Sequence, residues 1–199
     1  MVRLQINDIK KYAYKKNVPI IQDGGINFII EYIKKNKVKR ILEIGTAIGY
    51  SSIRFASVDE NIFITTIERD DLMYKEATKN IEKLNFKNRI NVIHGDALEI
   101  EIKGKYDLIF IDAAKSQYIK FFEKYKYNLN ENGSIITDNL SFHGLVDDDS
   151  KTNNRNTKQL VKKIRNYIEF LNNNNEFDTE FYKIGDGISV SKFKKSTCI

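Results

Sequence analysis

The sequence predicts an α/β fold: a doubly wound, mostly parallel sheet of seven strands with helices on both faces and a C-terminal antiparallel hairpin. Short apolar runs alternate with helical stretches from residue 38 onward. The last two runs are joined only by Gly185-Asp186-Gly187, which is too short for a parallel crossover. In the stretch 40–52, RILEIGTAIGYSS, an apolar run reaches a glycine turn and enters a helix. This unit is typical of Rossmann-like sheets.

The individual elements follow from local periodicity and from turn residues. The predicted helices before the sheet are Gln5–Lys16 and Gly25–Lys35, separated by Pro19 and a Gly24-Gly25 pair. The predicted strands are Arg40–Ile44, Phe63–Ile67, Ile90–Ile93, Tyr106–Ile111, Ser134–Thr137, Phe177–Ile184 and Ile188–Phe193. The later helices are expected from Ser51 and over Asp70–Leu84, Ser116–Tyr127 and Asn156–Leu171, with an irregular loop over 141–156.

Length and composition indicate one domain, residues 1–199, with the N-terminal helices of residues 1–37 covering the site. The chain has no apolar run near twenty residues, no apolar signal segment and one cysteine, Cys198. We therefore expect a cytoplasmic protein without a membrane partner. The net charge of +6 is compatible with an RNA partner, but a bias toward Lys, Asn and Ile would produce the same charge.

Polar residues at the predicted strand ends indicate a nucleotide-type cofactor. Gly45 and Gly49 open the first turn, with a spacing that differs from the G-x-G-x-x-G of dinucleotide folds. Glu68, near the end of the second strand, suits a ribose diol, and Asp96 is positioned to meet the exocyclic amine of a base. Each acid taken alone is equally compatible with a helix cap or turn, but the whole set is poorly explained that way.

A second polar group follows the fourth and fifth strands. Asp112, Asp138 and Asn139 provide only oxygen ligands, which suit Mg²⁺ or another hard divalent cation. Lys115 follows Asp112 closely and is a candidate general base, with an ordinary surface lysine as the alternative. We expect neither His94 nor His143 to bind metal, and we expect no nucleophilic function for Cys198.

The motifs together resemble a known enzyme family. They are VPIIQDGGINFI, RILEIGTAIGYSSI, TTIERD, INVIHGDALE, YDLIFIDAAKSQY, GSIITDNLSFHGLV and IGDGISVSKF. The chain resembles the class I S-adenosylmethionine-dependent, metal-dependent O-methyltransferases of the catechol and caffeoyl-CoA type, and within them the bacterial branch that methylates 5-hydroxyuridine in tRNA. IDAAK followed by TDN is the most specific part of this resemblance.

The resemblance implies the function of each site residue. Lys115 and Asp112 would be catalytic, and Asp112, Asp138 and Asn139 would bind the metal. S-adenosylmethionine would contact Glu43, Gly45, Thr46, Gly49, Tyr50, Ser51, Glu68, Arg69, Asp96, Ala97 and Asp112. Catechol enzymes carry bulkier residues where this chain has Ala113 and Ala114, which argues for a different substrate pocket.

The implied reaction is direct methyl transfer to one of two adjacent oxygens held by the cation. The expected substrate is 5-hydroxyuridine at the tRNA wobble position, which would become 5-methoxyuridine, and a homodimer is implied. Alternatives are a small vicinal-oxygen substrate of the catechol or caffeoyl-CoA type, a non-catalytic cofactor-binding module and a nicotinamide dehydrogenase. A nicotinamide dehydrogenase would not require the oxygen ligands of Asp112, Asp138 and Asn139. Lys158, Lys162 and Arg165 share one helix face, which either contacts RNA or is simply solvated.

Overall fold

The computed structural model describes residues 2–148, 150 and 152–195, so Cys198 lies outside the described residues. The helices are α1 (Val2–Lys16), α2 (Asp23–Lys35), α3 (Tyr50–Ala56), α4 (Asp71–Lys83), α5 (Tyr118–Tyr125) and α6 (Arg155–Asn172). The strands are β1 (Arg40–Ile44), β2 (Phe63–Glu68), β3 (Ile90–His94), β4 (Tyr106–Ile111), β5 (Leu129–Asp138), β6 (Phe177–Tyr182) and β7 (Ile188–Phe193). Within the described ranges, no helix combines the length and apolar character needed to cross a bilayer.

The seven strands form one sheet in the order β3-β2-β1-β4-β5-β7-β6. The five strands from β3 to β5 pair in parallel, whereas β7 pairs antiparallel with both β5 and β6. The predicted sheet and its C-terminal hairpin are therefore confirmed. Because β1 to β5 run in the same direction, the residues that follow them meet at one edge, the carboxyl edge of the sheet.

Two predicted elements were wrong in extent, and the boundaries of the others differ from the structure by at most three residues. Strand β5 begins at Leu129 instead of Ser134, because the polar residues 130–133 continue the strand through an irregularity in its pairing with β4. The predicted helix Ser116–Tyr127 is divided into α5 and two flanking 3₁₀ turns, Lys115–Gln117 and Lys126–Asn128. Polar strand residues and tight helical turns carry little periodic signal, so local patterns missed both features.

The central strands β1 and β4 are buried on both faces, and each face has its own apolar cluster. Leu108 and Phe110 of β4 face the side covered by α1, α2 and α3. Ile109 and Ile111 face the opposite side, where α5 and α6 contribute many aromatic residues. Phe122 of α5 is fully buried there and makes edge-on contacts with three other aromatic rings, those of Tyr167, Phe170 and Phe177.

Phe122→Ala should lower the free energy of unfolding by about 3–5 kcal/mol, because it removes a buried ring and leaves a cavity among the neighbouring aromatic rings. Urea unfolding measures the change. Leu72→Ala is the control, since Leu72 is 71% exposed and should alter stability by no more than about 0.5 kcal/mol. Equal effects of the two substitutions would contradict this description of the core.

Candidate active site

A cavity of about 640 Å³ opens at the carboxyl edge of the sheet. This volume lies in the range of small-molecule and cofactor sites. Glu43 and Gly49 are the two predicted site residues that do not line it. The predicted residues on its wall are Gly45, Thr46, Tyr50, Ser51, Glu68, Arg69, Asp96, Ala97, Asp112, Lys115, Asp138 and Asn139. The structure therefore brings both predicted polar groups into one cavity.

The turn between β1 and α3 requires glycine at Gly45. Its φ is +100°, and an added Cβ atom would lie 2.2 Å from the carbonyl oxygen of Asp112. The ends of β1 and β4 are thus in direct contact, which places Asp112 beside the turn. Gly49 also has a positive φ, +80°, at the N-cap of α3. It faces Ala77 of α4, so it shapes the turn from outside the cavity.

Glu43 supports the turn from behind. Its carboxylate is completely buried and accepts hydrogen bonds from Ser51 Oγ (2.5 Å), from Thr66 Oγ1 (2.6 Å) and from Ser52 Oγ. Burial raises the pKa of Glu43 from 4.5 to about 7, although the three hydroxyl donors oppose that increase. Two of the three donors, Ser51 and Ser52, lie in the first turn of α3, so their hydrogen bonds to Glu43 fix that turn.

Glu68 lies on the cavity wall with its two oxygens held by the backbone. Its Oε2 accepts from the N–H of Ala47 (2.8 Å), and its Oε1 accepts from the N–H of Asp70 (2.8 Å). Each oxygen keeps a free lone pair, so the carboxylate can still accept from the two hydroxyls of a ribose. Asp96 is oriented in a similar way by the N–H of Leu98 at 2.8 Å. Arg69 Nη1 lies 4.0 Å from Asp96 Oδ2.

Asp112 and Asp138 form a pair of desolvated carboxylates. Burial is the largest cause of the raised pKa of each group, and that of Asp138 reaches about 8. The charge of Asp112 raises the pKa of Asp138 further, while the Lys115 ammonium lowers the pKa of both. Asp138 Oδ1 is buried and has no hydrogen-bond partner among the described residues. An oxygen in this state requires a ligand or a proton.

Asn139 connects the carboxylate pair to its surroundings. In the amide orientation that satisfies both neighbours, its nitrogen donates to Asp186 Oδ2 at 2.8 Å and its oxygen accepts from Lys115 Nζ at 3.3 Å. Lys115 Nζ also lies 5.6 Å from the ring centroid of Phe142, over its face. The ammonium group is thereby held next to both the amide oxygen and the carboxylates.

These residues fit a hard divalent cation by their chemistry. The donors of Asp112, Asp138 and Asn139 are all oxygens, and the unpartnered Asp138 Oδ1 is an available ligand atom. Among the described residues, no three His, Cys, Asp or Glu side chains converge as a metal-binding group. A cation here would thus rely on two carboxylates and one amide, with water or substrate filling the other positions.

Asp186, which sequence reasoning treated only as part of a hairpin turn, belongs to the same wall. It is 4% exposed and accepts from the backbone N–H of His143 at 2.6 Å, in addition to the bond from Asn139. His143 also lines the cavity. The neighbouring Gly187 approaches the loop so closely that a Cβ would lie 2.7 Å from Ser141 N. The sequence signal was the acid between two glycines.

The segment before α2 closes another side of the cavity. Pro19, Ile20, Ile21 and Gln22 line it. A Cβ added at Gly25 would lie 3.6 Å from Asp138 Oδ1, and one at Gly24 would lie 3.2 Å from the backbone nitrogen of Gly185. The two glycines thus let the start of α2 reach the acidic pair and the β6–β7 turn.

Comparisons with known proteins show what this chain is similar to. The family model described as O-methyltransferase matches residues 3–194. A Staphylococcus aureus crystal structure, provisionally described as a caffeoyl-CoA O-methyltransferase, is 42% identical, with a TM-score of 0.91 over 95% of this chain and 92% of that one. An O-methyltransferase from Bacillus cereus in complex with SAH is 26% identical, with a TM-score of 0.81 over 96% and 90%. A catechol O-methyltransferase of Niastella koreensis is 34% identical over 124 residues, 58% of this chain and 56% of its own.

Glu43→Gln should remove a pH dependence of stability from the unliganded protein. With a folded-state pKa of about 7 against 4.5, Glu43 retains its proton on folding, so its contribution is largest at low pH and is lost as the pH rises toward 7. The free energy of unfolding of the unchanged protein relative to the variant should fall by about 2–3 kcal/mol between pH 5 and pH 8. Urea titrations measure it, and a pH-independent difference would contradict the assignment.

Proposed function

The chain belongs to the O-methyltransferase family, and we propose that it transfers the methyl group of S-adenosylmethionine to a substrate oxygen within the cavity at the carboxyl edge. One observation carries this proposal. One cavity is lined by both Glu68, a carboxylate suited to binding a diol, and the group around Asp138, which is suited to binding a cation. The two lie on opposite sides of the Gly45 turn. A dehydrogenase would need the first group but not the second.

The first group provides the cofactor half of the cavity. Glu68 would bind the ribose hydroxyls, Asp96 with Ala97 the adenine end, and Ser51 the methionine end. Glu43 and Gly49 would act indirectly, by holding Ser51 and the turn. The remaining proposed contacts, which lie on the wall, are Gly45, Thr46, Tyr50, Arg69 and Asp112. The B. cereus relative was crystallised with SAH, which supports a cofactor of this type.

The second group provides the chemistry at the substrate oxygen. Asp112, Asp138 and Asn139 would hold Mg²⁺ or a similar cation, which supplies Lewis acidity that lowers the pKa of a substrate hydroxyl. Lys115 lies against the Asn139 oxygen. As the ammonium ion it can stabilise the deprotonated substrate oxygen, and as the neutral amine it can accept the proton of the substrate hydroxyl. Asp186 keeps Asn139 oriented toward this group.

We favour 5-hydroxyuridine at the tRNA wobble position as the substrate, giving 5-methoxyuridine. Its 5-hydroxyl and 4-carbonyl are adjacent oxygens, as in a catechol, and a base in the anticodon loop is already unpaired. Ala113 and Ala114 leave room beside the acidic group. The exposed face of α6 carries Arg155, Lys158, Lys162 and Arg165, which suits phosphate contacts.

A small-molecule substrate is the second candidate. The specific observation in its favour is the 34% identity to a catechol O-methyltransferase, which includes 58% of this chain. The two candidates share the same cofactor and cation chemistry. They differ only in what approaches the mouth of the cavity.

Asp138→Asn should lower the rate of methyl transfer at least about a hundredfold, because it removes the charge and one oxygen ligand of the cation site. The affinity for S-adenosylhomocysteine, measured by calorimetry, should change less than about threefold. Asp178→Asn, an exposed carboxylate on β6, is the matched control. Chelation of divalent cations should reproduce the loss, and added Mg²⁺ should reverse it. A variant that turns over normally, or an enzyme indifferent to chelation, would exclude the cation.

Labelled S-adenosylmethionine distinguishes the substrates. The protein should transfer label to tRNA that carries unmethylated 5-hydroxyuridine, and digestion should release labelled 5-methoxyuridine. Catechol and caffeoyl-CoA are assayed in parallel at the same enzyme concentration. Label in the small molecules alone would exclude the RNA substrate but retain the methyltransferase. Cofactor binding with no transfer to any of them would instead favour a non-catalytic module.

A further inference from the structure

We propose that the exposed face of α1 binds unpaired RNA next to the target base, by stacking a base on Tyr14 and binding phosphates at Lys11 and Lys15. This proposal rests on the RNA substrate proposed above. In this proposal α1 contacts the substrate directly, while residues 19–22, which follow α1, line the cavity.

The sequence of α1 separates into a buried face and a charged aromatic face. Ile6, Ile9 and Ala13 are buried against the rest of the protein. Asn7, Lys11, Tyr14 and Lys15, spaced as neighbours on one side of a helix, are all exposed. Tyr14 is 63% exposed, which is a large exposed fraction for an aromatic side chain.

Tyr14 is suited to stacking because its ring is free on the solvent side while its backbone is fixed. Its carbonyl accepts from Asn17 N at 3.3 Å, where the helix ends. Lys10 Nζ lies 5.8 Å from the ring centroid but is ion-paired with Asp23 at 2.5 Å, so it orients the ring and is already neutralised. Aromatic rings beside cationic side chains are the usual elements of single-strand binding surfaces.

The position of this face relative to the cavity favours the substrate as its occupant. Pro19, which lines the cavity, is five positions after Tyr14 in the chain. Five steps from one Cα atom to the next span at most about 18 Å, even when the chain is fully extended. A strand whose target base enters the cavity therefore has neighbouring nucleotides within reach of α1. The basic face of α6 offers phosphate contacts, but the aromatic residues of α6 are buried or partly buried, so none is exposed for stacking.

Charge argues against a second copy of the chain as the occupant. Asp8 is the sole acidic residue of α1, against Lys11, Lys15 and Lys16 in its described part, in addition to the ion-paired Lys10. Two such faces would repel each other, whereas a polyanion would release counterions on binding. RNA is therefore the occupant that the charge distribution favours.

The test uses the full chain and an anticodon stem-loop with a fluorescent base analogue beside the target position. Tyr14→Ala should raise Kd roughly five- to a hundredfold and abolish the quenching that accompanies stacking, whereas Tyr14→Phe should retain both. Tyr127→Ala is the matched control. Tyr127 is 71% exposed and also has a lysine 5.3 Å from its ring centroid, but it precedes β5 at the opposite edge of the sheet.

The phosphate contacts are tested by salt dependence. Replacing Lys11 and Lys15 together by alanine should reduce the slope of log Kd against log salt by about 1.4, which corresponds to two phosphates on a single strand. The control pair is Lys83 and Lys103, exposed near the opposite edge, which should leave the slope unchanged.

The outcomes separate this surface from the proposed substrate. An unchanged protein that neither binds the stem-loop nor methylates tRNA would overturn the RNA substrate, and this surface with it. Normal methylation of tRNA, with Tyr14→Ala and Tyr127→Ala binding equally well, would overturn only the α1 surface. If Tyr14→Ala changed the mass of the protein in solution but left its RNA affinity unchanged, the exposed face of α1 would instead be assigned to self-association.

Discussion

The close approach of Gly45 to the carbonyl of Asp112 is the constraint on which the cavity depends. A Cβ atom does not fit between them, so the turn after β1 and the end of β4 are in direct backbone contact. Hydrogen bonds extend this contact on both sides, from Asp112 N to Ile44 O at 3.0 Å and from Gly45 N to Ile67 O at 3.1 Å. Three strand ends are thereby fixed together. The proposed cofactor half and the proposed chemical half of the cavity are consequently held at one separation by backbone atoms, which side-chain motion cannot alter.

Burial acts on two carboxyl groups of the site in the same direction but with different consequences. It raises the pKa of Glu43 to about 7 and that of Asp138 to about 8. Glu43 is surrounded by three hydroxyl donors, so its hydrogen-bonding capacity is largely satisfied within the protein. Asp138 Oδ1 has no such partner among the described residues. The Asp138 oxygen can therefore still bind a cation or a proton, whereas the hydrogen bonds from the three hydroxyls to Glu43 already orient α3. Similar residues at similar depth therefore support different functions.

The sequence was sufficient where a signal is local and insufficient where distant segments meet. Strand ends, the glycine turn and the acids that follow the parallel strands could be predicted, because the topology of such a sheet brings those ends to one edge. Glu43 and Gly49 were predicted as cofactor contacts, yet both lie off the cavity wall, because local hydrogen bonds and helix packing occupy them. Asp186 was missed as a site residue, since its approach to Asn139 joins a hairpin turn to a loop far away in the chain. No periodicity or spacing encodes that contact.

This long-range contact explains why the C-terminal hairpin belongs to the site and does more than complete the sheet. Asn139, Phe142 and His143 all have positive φ angles, of 72°, 46° and 58°. Each such conformation costs on the order of 1 kcal/mol or more for a residue other than glycine, so the surrounding contacts must impose it. Asp186 does so through the His143 backbone, and Arg165 Nε donates to Val146 O at 2.9 Å at the far end of the loop. The orientation of Asn139, and with it the third proposed cation ligand, is therefore set by β6, β7 and α6 as much as by the strand that carries it.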